Sequence, residues 1–331
     1  MQAADTYRMT RNAAAVTAVL VAALAAAALP AAHALPPAGA PACPTFPANN
    51  VWHSDISQLP VHPRSKAWLA SSGAATRRLH PDFGRSDDPA APYGIPYTTV
   101  SGTHARVPVT FEYADESDRV RYPLGADTKI EGGRDPGGDM HAIVIDRATC
   151  RLYETFATRQ DRAGRWRAGS GAVWDLKSNR LRPAGWTSAD AAGLPIFPGL
   201  LRRDEVRAGR VDHAIRFTVA RTDRSYVWPA RHQAGARRDA NLAPMGARFR
   251  LKSSYDISGL RPDTQVVLRA LKKHGLILAD NGSNWFFQGA ADNRRSAAFV
   301  KELKTIPASA FEAVDASSLM VSPNSAQVRR P

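Results

Sequence analysis

GGRDPGGDMHAIVIDRATCRLYETF, residues 132–156, is the stretch on which the fold turns. Two apolar runs, MHAIVID (140–146) and RLYETF (151–156), flank the polar turn RATC. In the first run Met140, Ala142 and Val144 fall on one face of a strand, and Ile143 and Ile145 on the other. Both faces are apolar, so this strand is expected at the centre of a sheet, covered on both sides. The turn brings RLYETF back beside it. Asp139, His141 and Glu154 then lie toward one end of the hairpin, with Asp139 and His141 on one face and the face of Glu154 open until the register is known.

Outward from the hairpin, YGIPYTTV (93–100), RVPVTFEYA (106–114), RWRAGSGAVWDL (165–176), HAIRFTVA (213–220), SYVWPA (225–230), RFRLKSSYDI (248–257) and LILAD (276–280) also read as strands. They are short runs rich in β-branched and aromatic residues, bounded by Gly, Pro, Asp and Asn. Helical patterns are few. DTQVVLRALKKHG (263–275) carries an Asp263 cap, an apolar face of Val267, Ala270 and Leu271, and a terminating Gly275. SKAWLASSG (65–73), SAAFVKELKTI (296–306, capped by Ser296), TSADAAG (187–193) and RRDEVRAG (202–209) predict shorter helices. The expected fold is mainly β: an antiparallel β-sandwich or jelly roll, one domain with a few decorating helices.

Arg8 and Arg11 precede a long apolar run that ends in Ala32-His33-Ala34, the layout of a secretory signal peptide cut after Ala34. The chain therefore divides into a signal segment (1–34), a Pro/Ala-rich spacer (35–44), a globular domain (45–315) and a flexible tail (316–331). No later stretch is long and apolar enough to span a bilayer, so no membrane insertion is expected after the signal is removed. The two cysteines, Cys43 and Cys150, read as one disulfide in an oxidising compartment. A lipid-modified Cys43 is disfavoured by Ala40 and Pro41 ahead of it and by the partner that Cys150 would lose.

The chain has 44 basic and 30 acidic residues, a net charge of +14. Outside a cell that balance favours anionic polymers, although an arginine-rich composition accounts for it equally well. No basic block, recognition helix or stacking platform supports nucleic-acid binding. GxSxG, SxxK and GxGxxG are all missing, which removes serine hydrolases, penicillin-binding enzymes and nucleotide cofactors.

Three constellations remain. Asp139, Glu154, Asp175 and Glu112 are acids on or beside apolar strands, where burial can raise one pKa enough for glycosidic acid–base work. Their ordinary role would be to pair with the abundant arginines. His141, His213 and His232 sit at strand ends and could hold a zinc, but their spacing matches no compact ligand motif and backbone carbonyls commonly occupy such rings. Asp139 or Asp212 beside a histidine would also make an acid–base dyad suited to a polysaccharide lyase. The third group is Trp52, Trp166, Trp174, Trp186, Trp228 and Trp285, each among polar neighbours. Trp174, Trp186, Trp228 and Trp285 could stack on sugar rings with Arg231 binding hydroxyls, or could simply fill the core.

The phrases PYGIPY, PVTFEYADESD, GDMHAIVIDRATCRLYE, GSGAVWDLKSNRLRPAGWTSADAAGLPI, RFTVARTDRSYVWPARH and LKSSYDISG…LADNGSNWF together span most of residues 45–315. With them the chain resembles a family of secreted bacterial proteins that carry no assigned activity. The resemblance implies a single secreted domain and transfers no catalytic roles. The leading expectation is a secreted, extracellular glycoside hydrolase or polysaccharide lyase without a cofactor, acting on a neutral or acidic polysaccharide. Asp139 and Glu154 would be its acid and base, assisted by His141 and His232. The alternatives are a non-catalytic glycan- or wall-binding protein and a zinc-dependent hydrolase.

Overall fold

The computed structural model describes residues 34–88, 93–133 and 137–329, and they fall within one compact unit. The signal segment lies outside the described residues, apart from Ala34. The opening hairpin is present as β4 (Ala142–Asp146) and β5 (Arg151–Phe156), with Ile143 opposite Glu154 and Asp146 opposite Arg151. Every residue of β4 is buried, as two apolar faces require.

β4 and β5 are the inner strands of a four-stranded sheet, between β2 (Tyr97–Val100) and β8 (Ser170–Asp175). One face of this sheet gives Ile143, Ile145, Leu152, Ala172 and Trp174 to the main core. The other face gives Ala142, Val144 and Tyr153 to a smaller core. A three-stranded sheet of β3 (Val109–Phe111), β7 (Trp166–Ala168) and β6 (Arg159–Gln160) contributes Trp166 to that smaller core, with Phe111 packed against it.

The largest sheet has six strands in the order β1 (His80–Asp82), β12 (Phe286–Gln288), β9 (Ile215–Val219), β11 (Leu276–Asn281), β10 (Arg248–Leu251) and β13 (Phe311–Val314). Helices α1 (Ser65–Ser71), α3 (Pro262–Lys273) and α4 (Ala297–Leu303) bury apolar side chains in the main core, and α2 (Arg203–Arg207) packs Val206 against it.

The chain is strand-rich with few helices, but its sheets are mixed rather than antiparallel. The pairs β1–β12, β2–β4, β3–β7 and β9–β11 are all parallel. Parallel neighbours need only a connection long enough to return the chain. Here the return runs through other elements as well as irregular chain. β10 and α3 lie between β9 and β11, and β4, β5 and β6 between β3 and β7, so no simple strand–helix–strand alternation marks the pairings in the sequence. SYVWPA forms no strand: Tyr226 makes one isolated bridge to Met245, and Pro229 lacks the N–H a ladder needs. TSADAAG is a run of bends and turns rather than a helix. On α3 the cap position is Arg261 with Pro262 in the first turn, and Asp263 instead pairs with Arg261.

Two boundary expectations also change. The spacer 35–44 packs onto the domain, with Ala40 and Cys43 buried and Cys43 bonded to Cys150. The tail is not loose over 316–329. Leu319, Ala326 and Val328 are buried, and Val51 N–H donates to Ala326 O at 2.8 Å.

Candidate active site

Direct cross-strand partners project to the same side of a sheet. The pairing of Ile143 with Glu154 therefore puts Glu154 on the face of His141. Glu154 has no exposed surface. Its carboxylate accepts the Ile196 N–H at 2.9 Å, the Phe197 N–H at 2.8 Å and the Trp174 Nε1–H at 3.3 Å. Burial outweighs these donors and carries the carboxyl up to about 7. Glu154 thus anchors the turn at Phe197 from beneath rather than facing solvent.

His141 is 2% exposed, with both ring nitrogens facing acceptors. Nδ1–H donates to Glu131 Oε2 at 2.6 Å and Nε2–H to the Ala189 carbonyl at 3.1 Å. A carbonyl and a carboxylate both demand a proton from the ring, so His141 is an imidazolium. Burial alone would lower its pKa. The charge and hydrogen bond of Glu131 reverse that and raise it to about 9. Burial would in turn raise Glu131, but the facing imidazolium holds it below the usual carboxylate range.

Ala189 belongs to the 187–193 loop that presents Asp190. The Ser188 hydroxyl donates to Leu194 O at 2.6 Å and accepts the Asp190 N–H at 2.9 Å, which fixes the bend. Gly193 closes the loop at φ +67°, where a Cβ would stand 2.4 Å from Trp186 O. Asp190, wholly buried, receives a two-pronged contact from Arg216 on β9, at 2.8 Å from Nε and 2.7 Å from Nη2. Burial would lower Arg216, but this carboxylate more than compensates and raises it.

On its far side Arg216 Nη2 lies 3.8 Å from Asp280 Oδ2. Asp280 ends the apolar run of β11, just past a register shift between Leu278 and Asp280 on the β9 edge. Such a bulge re-aims a side chain, and Asp280 is still 24% exposed while Asp190 is sealed. Burial, then the charge of Asp190, raises the Asp280 carboxyl to about 7 against the opposing pull of Arg216 and His141. Asp139 is exposed beside this group, and its charge acts on both His141 and Asp280. Two cations, His141 and Arg216, thus stand among Glu131, Asp139, Glu154, Asp190 and Asp280. Of these carboxylates Asp139 is exposed, Glu131 and Asp280 are partly exposed at 27% and 24%, and Glu154 and Asp190 are sealed.

His232 borders the same loop. Its Nδ1–H donates to Ala191 O at 2.9 Å, while Nε2 lies 4.0 Å from Glu116. Trp186, half-buried, precedes Asp190 on the loop and carries the Arg182 guanidinium 5.4 Å from its ring centre. Trp228, also half-buried, donates its Nε1–H to Ser325 O.

Other expected residues stand elsewhere. Trp285 is in the core against Phe217, Phe249 and Phe311, and Trp174 is buried against Glu154, so neither offers a ring face to a sugar. The Arg231 guanidinium is spent on Arg182 O, Pro323 O and Asn324 Oδ1. Glu112 and Asp175 are exposed, Asp175 at the end of β8 capping Lys177 N–H, and Asp212 pairs with Arg210. His213 bonds Glu205 and Ala214 O. His141, His213 and His232 thus have separate partners, and no group of three potential ligands among the described residues could hold a metal ion.

Sequence reasoning missed Glu131, Asp190, Arg216 and Asp280. The available signal was a lone charge within or ending an apolar strand, as in HAIRFTV and LILAD. No family model, curated protein or solved structure matches this chain.

Proposed function

We propose that the protein is a secreted carbohydrate-cleaving enzyme of the glycoside hydrolase type. Asp280 would be its acid and Asp139 the opposing carboxylate. The observation that carries this reading is Asp280 itself: a carboxyl at the mouth of a buried ion network, held up to about 7 and still 24% exposed. Breaking a glycosidic bond requires one protonated carboxyl on the leaving oxygen and one ionised carboxylate across the bond. Asp280 suits the first role at neutral pH, and exposed Asp139 suits the second. His141 and Arg216 are positioning residues that hold the carboxylate set together. Trp186, on the Asp190 loop, supplies a half-exposed ring of the kind that packs on a sugar face.

The test is release of reducing ends from a panel of neutral and acidic polysaccharides, with unsaturated products followed in parallel. The expected result is hydrolytic product from at least one glycan, lost in Asp280→Asn and Asp139→Asn while the circular dichroism of both matches wild type. Unsaturated product would reassign the site to a lyase. No product, with retention of the protein on one glycan, would leave a binding protein.

A further inference from the structure

We infer that the cleft between β2 and α2 is a second site, one that binds an oxyanion-bearing segment of an acidic polysaccharide. Its volume is about 1120 Å³, and its walls come from residues 96–99 at β2, 126–130, α2 and 290–294. Pockets for single small ligands run to about 300–1,000 Å³. This cleft is thus sized for an extended chain.

Its charge decides the ligand class. Five basic and three acidic side chains line it, and each acid is already engaged: Asp127 by His104 at 3.1 Å, Asp204 by Arg202 at 3.4 Å and Asp292 by Arg294 at 2.6 Å. Lys129, Arg203 and Arg207 have no carboxylate within ion-pair distance among the described residues. Arg202 also lines the cleft but is only 1% exposed and already paired with Glu205 at 2.8 Å and Asp204 at 3.4 Å, so the free positive charge comes from Lys129, Arg203 and Arg207. A concavity lined by unpaired cations concentrates anions. Thr98, Thr99 and Asn293 add hydroxyl and amide groups for sugar oxygens.

Nucleic acid fits less well. Binding a single strand requires a row of aromatic faces. The one aromatic lining residue is Tyr97, packed edge-on against Phe197 at 5.0 Å. The inference rests on this cleft alone and stands whether or not Asp280 is catalytic.

The test is calorimetric titration of the purified protein with oligogalacturonides, sulfated oligosaccharides, neutral cello-oligosaccharides, inorganic phosphate and an oligodeoxynucleotide. Carboxylated or sulfated oligosaccharides should bind, the comparison between them naming the oxyanion, and added salt should weaken the binding. Lys129→Glu with Arg207→Glu should weaken it by about tenfold or more. Arg162→Glu with Lys177→Glu, an equal change in net charge at exposed positions outside the cleft, should leave it within about twofold. Binding should also survive in Asp280→Asn, which separates this site from the acid site. Equal loss in both charge-reversed proteins, equal affinity for the neutral oligosaccharide, phosphate binding as tight as the oligosaccharide, or tighter binding of the oligonucleotide would each overturn the inference.

Discussion

In the proposed reaction Asp280 would serve as acid because it is neither sealed nor free: its carboxyl is held up to about 7 and its side chain is 24% exposed. Activity that depends on the protonated carboxyl falls as pH rises through about 7. The expected kcat/KM profile has its alkaline limb there, and that limb should move in Asp280→Glu while persisting in Glu154→Gln. His141 gives a stability signature of its own. Its pKa is raised from 6.5 to about 9, so its contribution is complete below pH 6.5 and is lost as pH climbs through 9. That contribution is up to about 3 kcal/mol, and urea titrations across this window should show the loss in wild type and flatten it in His141→Gln. Glu154 has a different part. Removing its carboxylate would orphan two buried backbone donors and an indole N–H, so Glu154→Leu is expected to cost about 3 kcal/mol or more in the same titrations.

At the scale of elements, the hairpin was legible from its alternation, and both strands occur at their expected places. α1, α3 and α4 were legible for a similar reason, since periodicity and end signals are local. The parallel pairings were not, because what joins β9 to β11 is distance along the chain, and no residue type marks that. The same limit applies to the site. Asp139, His141 and Glu154 were found because they sit together in sequence. Asp190, Arg216 and Asp280 come from a loop and two other strands, and only the folded sheet assembles them. The loop is the fragile element. A side chain at Gly193 would strike Trp186 O and meet the Arg231 side chain, so Gly193→Ala should cost about 2 kcal/mol and displace Asp190. Activity lost more steeply than the melting temperature falls would show that displacement.

Across the whole molecule, long-range ties bind its ends to its middle. Cys43–Cys150 closes a loop of sequence separation 107, and breaking it as Cys43→Ser/Cys150→Ser should lower stability by about 4–5 kcal/mol in the chain-entropy account. No described helix is long and apolar enough to cross a membrane, and the disulfide is compatible with an oxidising compartment. The segment 319–328 makes a second tie. It receives Val51 N–H, gives carbonyls to Arg231 and Trp228, and buries Leu319, Ala326 and Val328. Residues near 50 and near 230 therefore cannot reach their final arrangement until residues near 325 exist. Folding of the wall beside Asp190 thus waits until residues near 325 have left the ribosome. A ribosome-bound chain stopped at residue 315 would carry every residue of the acid site and still hold that wall unlatched.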